Sequence, residues 1–220
     1  MYTAVVLVVS QIPVVGPVLG SLLVPAATLG LMAATAEAAQ GRFPMPSVLI
    51  SAFRAGKQQA RAMLVLGALY TAGSLLAGLL GNLLVDAPPP APPTPNAPPQ
   101  LDARMLMVLA LHSPLAMLFW HAPALVHWHG VPPLKSLFFS GVACIRNFGA
   151  MLIYGLAWLG LFLVVGLVLS VFGAVARTVL MPTVLLMAAM FTTSMYFTFR
   201  DSFLETLPQD PAEPAQGDSP

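Results

Sequence analysis

Charge is what this sequence has least of. Of its 220 residues only 8% are Asp, Glu, Lys or Arg, against about 25% in an ordinary soluble domain. A surface so bare could not keep a lone chain dissolved in water. Cysteine is almost missing too. Cys144 stands alone, which excludes an internal disulfide and a cysteine-built zinc or iron–sulfur centre within one chain. It reads as a small buried hydrophobe on a cytoplasmic segment. Net charge is +1, so no electrostatic footprint for nucleic acid exists. No HExxH, Walker loop, GxSxG or GxGxxG occurs, and no paired carboxylates or nucleophile-with-base can be assembled. The sequence therefore predicts no enzyme, no catalytic residue and no metal site.

What fills the chain is apolar. Hydrophobic residues make up 58% and the mean hydropathy is +0.84, which predicts an all-α integral membrane protein. A span needs about 20 apolar residues. Ala62–Val85, Met105–Val126, Phe148–Phe172 and Thr178–Phe199 qualify cleanly. The apolar run from Ala4 to Ala36 is too long for one span and is broken by Pro13, Gly16 and Pro17. It reads as a short first helix of about 12 residues, a turn, and a span at Pro17–Ala38. MYTAVVLVVS has no basic leader, so the first segment is expected to be retained. The expectation is a bundle of about six transmembrane helices, the first one short.

Basic residues set the orientation. Arg42, Arg54, Lys57 and Arg61 cluster in one loop, and Lys135 and Arg146 in another. Cytoplasmic loops collect Lys and Arg, so both loops are expected inside, with Arg104 and Arg177 as exceptions. Both termini are then cytoplasmic, in a bacterial inner membrane. The loop at 87–100, with eight prolines in 14 residues, falls on the periplasmic side as a polyproline II spacer, as does the turn near Gly173. Residues 1–206 read as one transmembrane domain. Residues 207–220 read as a disordered, acidic, proline-rich cytoplasmic tail.

Two parts of the chain resemble each other. At an offset of 88, Gly41–Tyr70 aligns with His129–Trp158, pairing Pro44 with Pro132, Leu49 with Leu137, Ala62-Met63-Leu64 with Ala150-Met151-Leu152, and Gly67 with Gly155. This reads as a weak parallel internal repeat. Each copy contains an amphipathic segment expected to lie flat at the interface. In Pro46–Arg61, the residues Arg54, Lys57 and Arg61 follow i, i+3, i+7 as a basic stripe suited to anionic lipid headgroups. Gly73, Ala77 and Gly81 recur every four residues and suit close helix packing.

FWHAPALVHWHGVPP, Phe119–Pro133, holds three of the four histidines and two of the three tryptophans. His121 and His127 fall about 240° apart on a helix, His127 and His129 about 200° apart, so no pair has metal-ligand spacing. The stretch reads as an interfacial aromatic and histidine belt. An axial ligand for a porphyrin-type ring needs no spacing, so His121 stays a candidate for haem or pigment. His112 lies inside a span beside Ser113 and Pro114, where an ionisable group is a functional candidate by default: a quinone contact, a proton relay or an axial ligand. Glu37 is expected to form a local ion pair, with Arg42 or another basic group.

At Ala122–Phe148, APALVHWHGVPPLKSLFFSGVACIRNF, the chain resembles the BPSS-type family of proteobacterial membrane proteins, most common in betaproteobacteria. An earlier pattern, Ile12-Pro13, Gly16-Pro17, Pro25 and Gly30-Leu31, adds to that resemblance, which covers most of the chain up to about Phe199. The family is similar in architecture to the YciC group and to the membrane domain attached to some glycerophosphodiester phosphodiesterases. The resemblance implies a six-helix inner-membrane bundle with no assigned catalytic residues. Members usually begin with a longer cytoplasmic segment and a full first span, and this chain departs there.

The first functional expectation is a non-enzymatic accessory or scaffold subunit packed against the transmembrane subunits of a larger respiratory or photosynthetic complex. The alternative is a small transporter or a lipid- or quinone-handling protein. No cofactor is required; lipid, quinone or pigment are the ligands such a chain would suit. Membrane lipids are expected partners and nucleic acid is not.

Overall fold

The computed structural model describes residues 15–85, 103–172 and 174–203, without the side chains of residues 15 and 174–177. Every regular element among the described residues is helical. They run α1 (Val15–Ala39), a 3-10 turn (Pro46–Ile50), α2 (Ser51–Arg54), α3 (Lys57–Leu84), α4 (Ala103–Phe119), α5 (Ala122–His129), α6 (Pro133–Arg146), α7 (Phe148–Val171) and α8 (Ala174–Phe203). Five stretches are long and apolar enough to cross a bilayer: Gly16–Ala39, Lys57–Leu84, Ala103–His129, Phe148–Val171 and Thr178–Phe203. The short helix expected before Pro13, the loop at 87–100, Gly173 and the tail at 207–220 lie outside the described residues. The structure therefore describes five such helices where the sequence suggested six.

Lipid cannot hydrogen-bond a backbone, so spans are helical throughout and each interruption needs a local partner. Pro114, inside α4, has no N–H to give the Ala110 carbonyl. The neighbouring Ser113 hydroxyl donates to that carbonyl instead, at 2.8 Å.

Side-chain contacts fix the helix directions. Ser21 Oγ of α1 and Thr71 Oγ1 of α3 lie 2.9 Å apart, while Ala26 and Leu29 share a buried cluster with Met63 and Leu66, so α1 and α3 are antiparallel. Tyr70 meets Phe119 edge to face at 5.1 Å and Gly81 sits against Val108, so α3 and α4 are antiparallel too. Met32 of α1 packs with Tyr196 and Phe199 of α8. Tyr154 and Trp158 of α7 meet Ser194 and Phe191 of α8. The last turns of α1, α5 and α8 and the first turns of α3 and α7 therefore gather at one end of the bundle. That end carries Arg42, Arg54, Lys57, Arg61, Lys135 and Arg200. Arg104, at the start of α4, marks the opposite end.

Backbones come closest between α1 and its neighbours. A Cβ placed on Gly67 would stand 2.0 Å from the Leu22 carbonyl oxygen, and one on Gly30 2.3 Å from that of Leu49. α5 sits in the middle of the basic end, with Ala122 through Val126 all buried. α7 is the opposite: none of its residues is buried.

The first of the two amphipathic segments differs from expectation. Pro46–Arg61 is not one helix. The 3-10 turn and α2 end at Ala55, Gly56 takes φ +111°, and α3 starts afresh at Lys57. Only glycine holds that backbone region without strain, so the chain changes direction there. α6 is a single amphipathic helix with its polar side turned inward. Ser136, Ser140, Gly141 and Cys144 are buried, while Leu134 is 70% exposed, Ile145 68% and Phe138 65%. Its apolar face looks outward.

Candidate functional site

Pro123 breaks the α4–α5 helix. It lacks an N–H, and its ring crowds the carbonyl four residues back, at Phe119. The His121 N–H would ordinarily bond to the Met117 carbonyl. It donates instead to Ser140 Oγ at 2.9 Å, and the Ser140 hydroxyl donates to Met117 O at 2.9 Å. A side chain of α6 is thus inserted into the helical ladder of α4, one of the recognised causes of a kink. Cys144 Sγ lies 3.5 Å from the same carbonyl. Full burial pushes the Cys144 thiol up to about 11 from its usual 9. It is expected to resist a maleimide reagent at pH 8 in the folded protein and to react once the chain is unfolded. Between about pH 9 and 11 the folded state holds this proton while the unfolded chain has released it, so stability should fall across that window.

The kink delivers His121 into a ring of aromatics. The side chain is 1% exposed, 5.4 Å from the Phe203 ring and 5.9 Å from Phe199. Trp128 and His129 also lean on Phe199, at 5.2 and 5.8 Å. Trp120 reaches Thr198 through its indole N–H at 3.1 Å. His112 stays with its own helix, its Nδ1–H donating to Val108 O at 2.9 Å; Ser113 serves the Ala110 carbonyl and not His112. The structure does not bring His112 and His121 into one site. Among the described residues no three His, Cys, Asp or Glu groups gather where they could hold a metal. Gly73 and Gly81 lie against Leu115 and Val108 of α4, and Ala77 is buried between them.

The basic end carries two grooves, one on either side of the Gly56 break. The first, of about 550 Å³, lies between the end of α1, the 3-10 turn, α2 and α5, with Arg42, Arg54, Ser51 and His127 on its walls. Arg42 grips Glu37 through two bonds, Nε to Oε2 at 2.6 Å and a second nitrogen to Oε1 at 2.9 Å, the local pair expected from sequence. That carboxylate raises the Arg42 guanidinium above its ordinary pKa. The second groove, of about 770 Å³, runs between the first turns of α3 and the α5–α6 turn, with Lys57 and Arg61 above Val65, Val126, Val131 and Leu134. The expected stripe of three cations is thus divided: Arg54 belongs to the first groove, Lys57 and Arg61 to the second. Gln59 clasps the wall between them, its amide donating to the His127 carbonyl at 2.7 Å.

The chain is 35% identical over 238 residues to the probable inner membrane protein BTH_II0599 of Burkholderia thailandensis, across 99% of this chain and 87% of that protein. The chain belongs to that family. It is an integral protein of the inner membrane, as its apolar helices require. No family model matches it, and no solved structure does.

Within this family member, sequence reasoning missed Ser136, Ser140, Ser51 and Gln59. One signal was available: Ser136, Ser140 and Cys144 recur every four residues, which marks one helix face. Nothing local announced Ser51 or Gln59, whose surroundings come from residues far along the chain.

Proposed function

We propose that the protein handles an anionic lipid at the cytoplasmic face of the inner membrane, in the groove beside the first turns of α3. The observation that carries this reading is the joining of two kinds of wall. Lys57 and Arg61 stand one turn apart on the rim, and Val65, Val126, Val131 and Leu134 line the rest. A phosphate fits the cations and an acyl chain fits the apolar wall. The first amides of α3 have no helical partner, which adds positive potential at the same point. Arg54, with Lys57 and Arg61 the third cation of the sequence stripe, faces the other groove. The gathering of basic residues at this end favours it as the cytoplasmic side, with the end of α8 inside; a cytoplasmic N-terminus rests on the further short segment that the sequence suggests before Pro13. The order of span, short helix and span in α1 to α3 and again in α4 to α7, each running the same way, favours a parallel repeat. The likeness to the BPSS-type and YciC groups belongs to this reading as well.

The test is purification in a mild detergent with mass spectrometry of bound lipid. Wild-type protein should retain anionic phospholipid over zwitterionic, and a Lys57→Gln/Arg61→Gln variant should retain several-fold less. Equal lipid content in the two proteins would remove the proposal.

A second reading, an accessory subunit of a larger membrane assembly, is favoured by α7, along whose 24 residues nothing is buried. Stoichiometric co-elution of other transmembrane proteins would support it. A colourless preparation would count against haem or pigment at His112 or His121.

A further inference from the structure

The groove beside the first turns of α3 is also where a second helix begins. α3 starts after Gly56 and α6 after Pro132, and residues of both starts line the walls. The first helical bonds run from the Ala60 amide to the Gly56 carbonyl and from the Ser136 amide to the Pro132 carbonyl. The amides of Lys57, Gln58 and Gln59, and those of Leu134 and Lys135, come before them and have no place in either ladder. Among the described residues no side chain caps these starts, and neither first turn carries an acid. Each start therefore keeps its dipole charge of about +0.5. Lys57 and Arg61 add their cationic side chains at the same place.

What the walls lack narrows the ligand further. Among the described residues no Asp, Glu or His lines the groove, so it holds no partner for the ammonium of a zwitterionic headgroup. Two neutral polar side chains line it, Gln58 and Gln59. The Gln59 amide already donates to the carbonyls of Val126 and His127, which leaves Gln58 alone for any hydroxyl beyond the phosphate. The rim is rich in donors and poor in acceptors. A terminal phosphate suits it, with three acceptor oxygens and a charge of about −1.5 to −2 at pH 7. A phosphate esterified on both sides offers fewer free oxygens and a single charge.

We infer that this groove selects a lipid ending in a phosphomonoester, its phosphate held between Lys57, Arg61 and the two helix starts and its acyl chain on the apolar wall. The inference rests on the lipid reading above and narrows it: a diester lipid binds more weakly, and a zwitterionic one more weakly still. Among the described residues Lys57 and Arg61 are the only ionisable side chains on the walls, so the dependence on pH belongs to the ligand. A phosphomonoester takes up its second proton near pH ~6, and the preference shrinks below that.

The experiment uses the full chain in a non-ionic detergent, titrated with short-chain phosphatidic acid, phosphatidylglycerol and phosphatidylcholine and followed by phosphorus NMR. At about pH 7.5 phosphatidic acid should bind about fivefold tighter than phosphatidylglycerol, the scale of one further charge facing partly exposed cations. At about pH 5 that ratio should fall below about twofold. Lys57→Gln/Arg61→Gln should weaken phosphatidic acid by about tenfold or more and abolish the preference. Arg54→Gln, in the other groove, should leave both lipids within about twofold. Equal binding of phosphatidic acid and phosphatidylglycerol, both weakened by the double variant, overturns the inference and leaves the lipid groove standing. A preference that persists at low pH overturns it too, because the second charge is then not its source. So does one that survives the double variant, because it then arises elsewhere. Failure of all three lipids to bind, or equal binding of all three that the double variant leaves unchanged, removes the lipid reading together with the inference. Each variant is checked for an unchanged elution profile and helix content.

Discussion

Alanine at position 67 is expected to destabilise the protein by roughly 2–3 kcal/mol. Helix propensity alone argues the other way, since alanine is better than glycine in a helix interior by about 1 kcal/mol. The contact with α1 decides the sign. The new methyl would stand 2.0 Å from the Leu22 carbonyl oxygen and 3.0 Å from its carbon, both backbone atoms that no rotamer change can move away. α1 and α3 must separate, and Ser21 and Thr71 then lose their 2.9 Å contact. Gly78, on the same helix, has nothing within 4 Å of its Cβ position and gives the control. Gly78→Ala should be neutral or slightly stabilising. Unfolding in mixed micelles, followed by tryptophan fluorescence, compares the two. If Gly67→Ala is as stable as Gly78→Ala, the close crossing of α1 and α3 is wrong.

Removing the hydroxyl of Ser140 should cost about 1–3 kcal/mol, the range for leaving buried polar groups unpaired. The His121 amide would lose its bond, and the Met117 carbonyl would keep only the Cys144 thiol at 3.5 Å. The cause lies in Pro123, and that makes the effect conditional. In a Pro123→Ala background the helix is free to close its own ladder, His121 amide to Met117 carbonyl, and the serine is no longer needed. Ser140→Ala should then cost clearly less than in the wild type, with a coupling of about 1 kcal/mol in the double-mutant cycle. Additive losses would mean that the inserted serine and the proline kink are independent.

The spans were legible because lipid imposes a single requirement, length of apolar helix, and Phe148–Val171 follows it almost to the residue. The Glu37–Arg42 pair was legible because both partners lie within one turn of a helix end. The break at Gly56 was not, because Arg54, Lys57 and Arg61 keep helical spacing straight across it. Periodicity records which residues would share a face if the helix continued; it does not say that it continues. The inward polar face of α6 was hidden for a related reason. An amphipathic pattern distinguishes two sides of a helix, and the surrounding medium decides which side is inside. Here Met117 and Leu118 of α4 lie against the serine side, and it faces in. The two grooves depend on contacts between residues some 70 positions apart, as between Gln59 and His127, and no local pattern carries those.

α6 also bears on the order in which the molecule is built. Its 14 residues reach about 21 Å, short of the ~30 Å hydrocarbon layer, so insertion machinery that gauges apolar length would not release it as a span. Alone in lipid it would expose the hydroxyls of Ser136 and Ser140. The helix that shelters Ser140 is α4, which leaves the ribosome first. Synthesis therefore offers α6 its partner before α6 itself emerges. A circularly permuted chain in which α6 precedes α4 would have to carry those serines unprotected until the remainder of the protein was made.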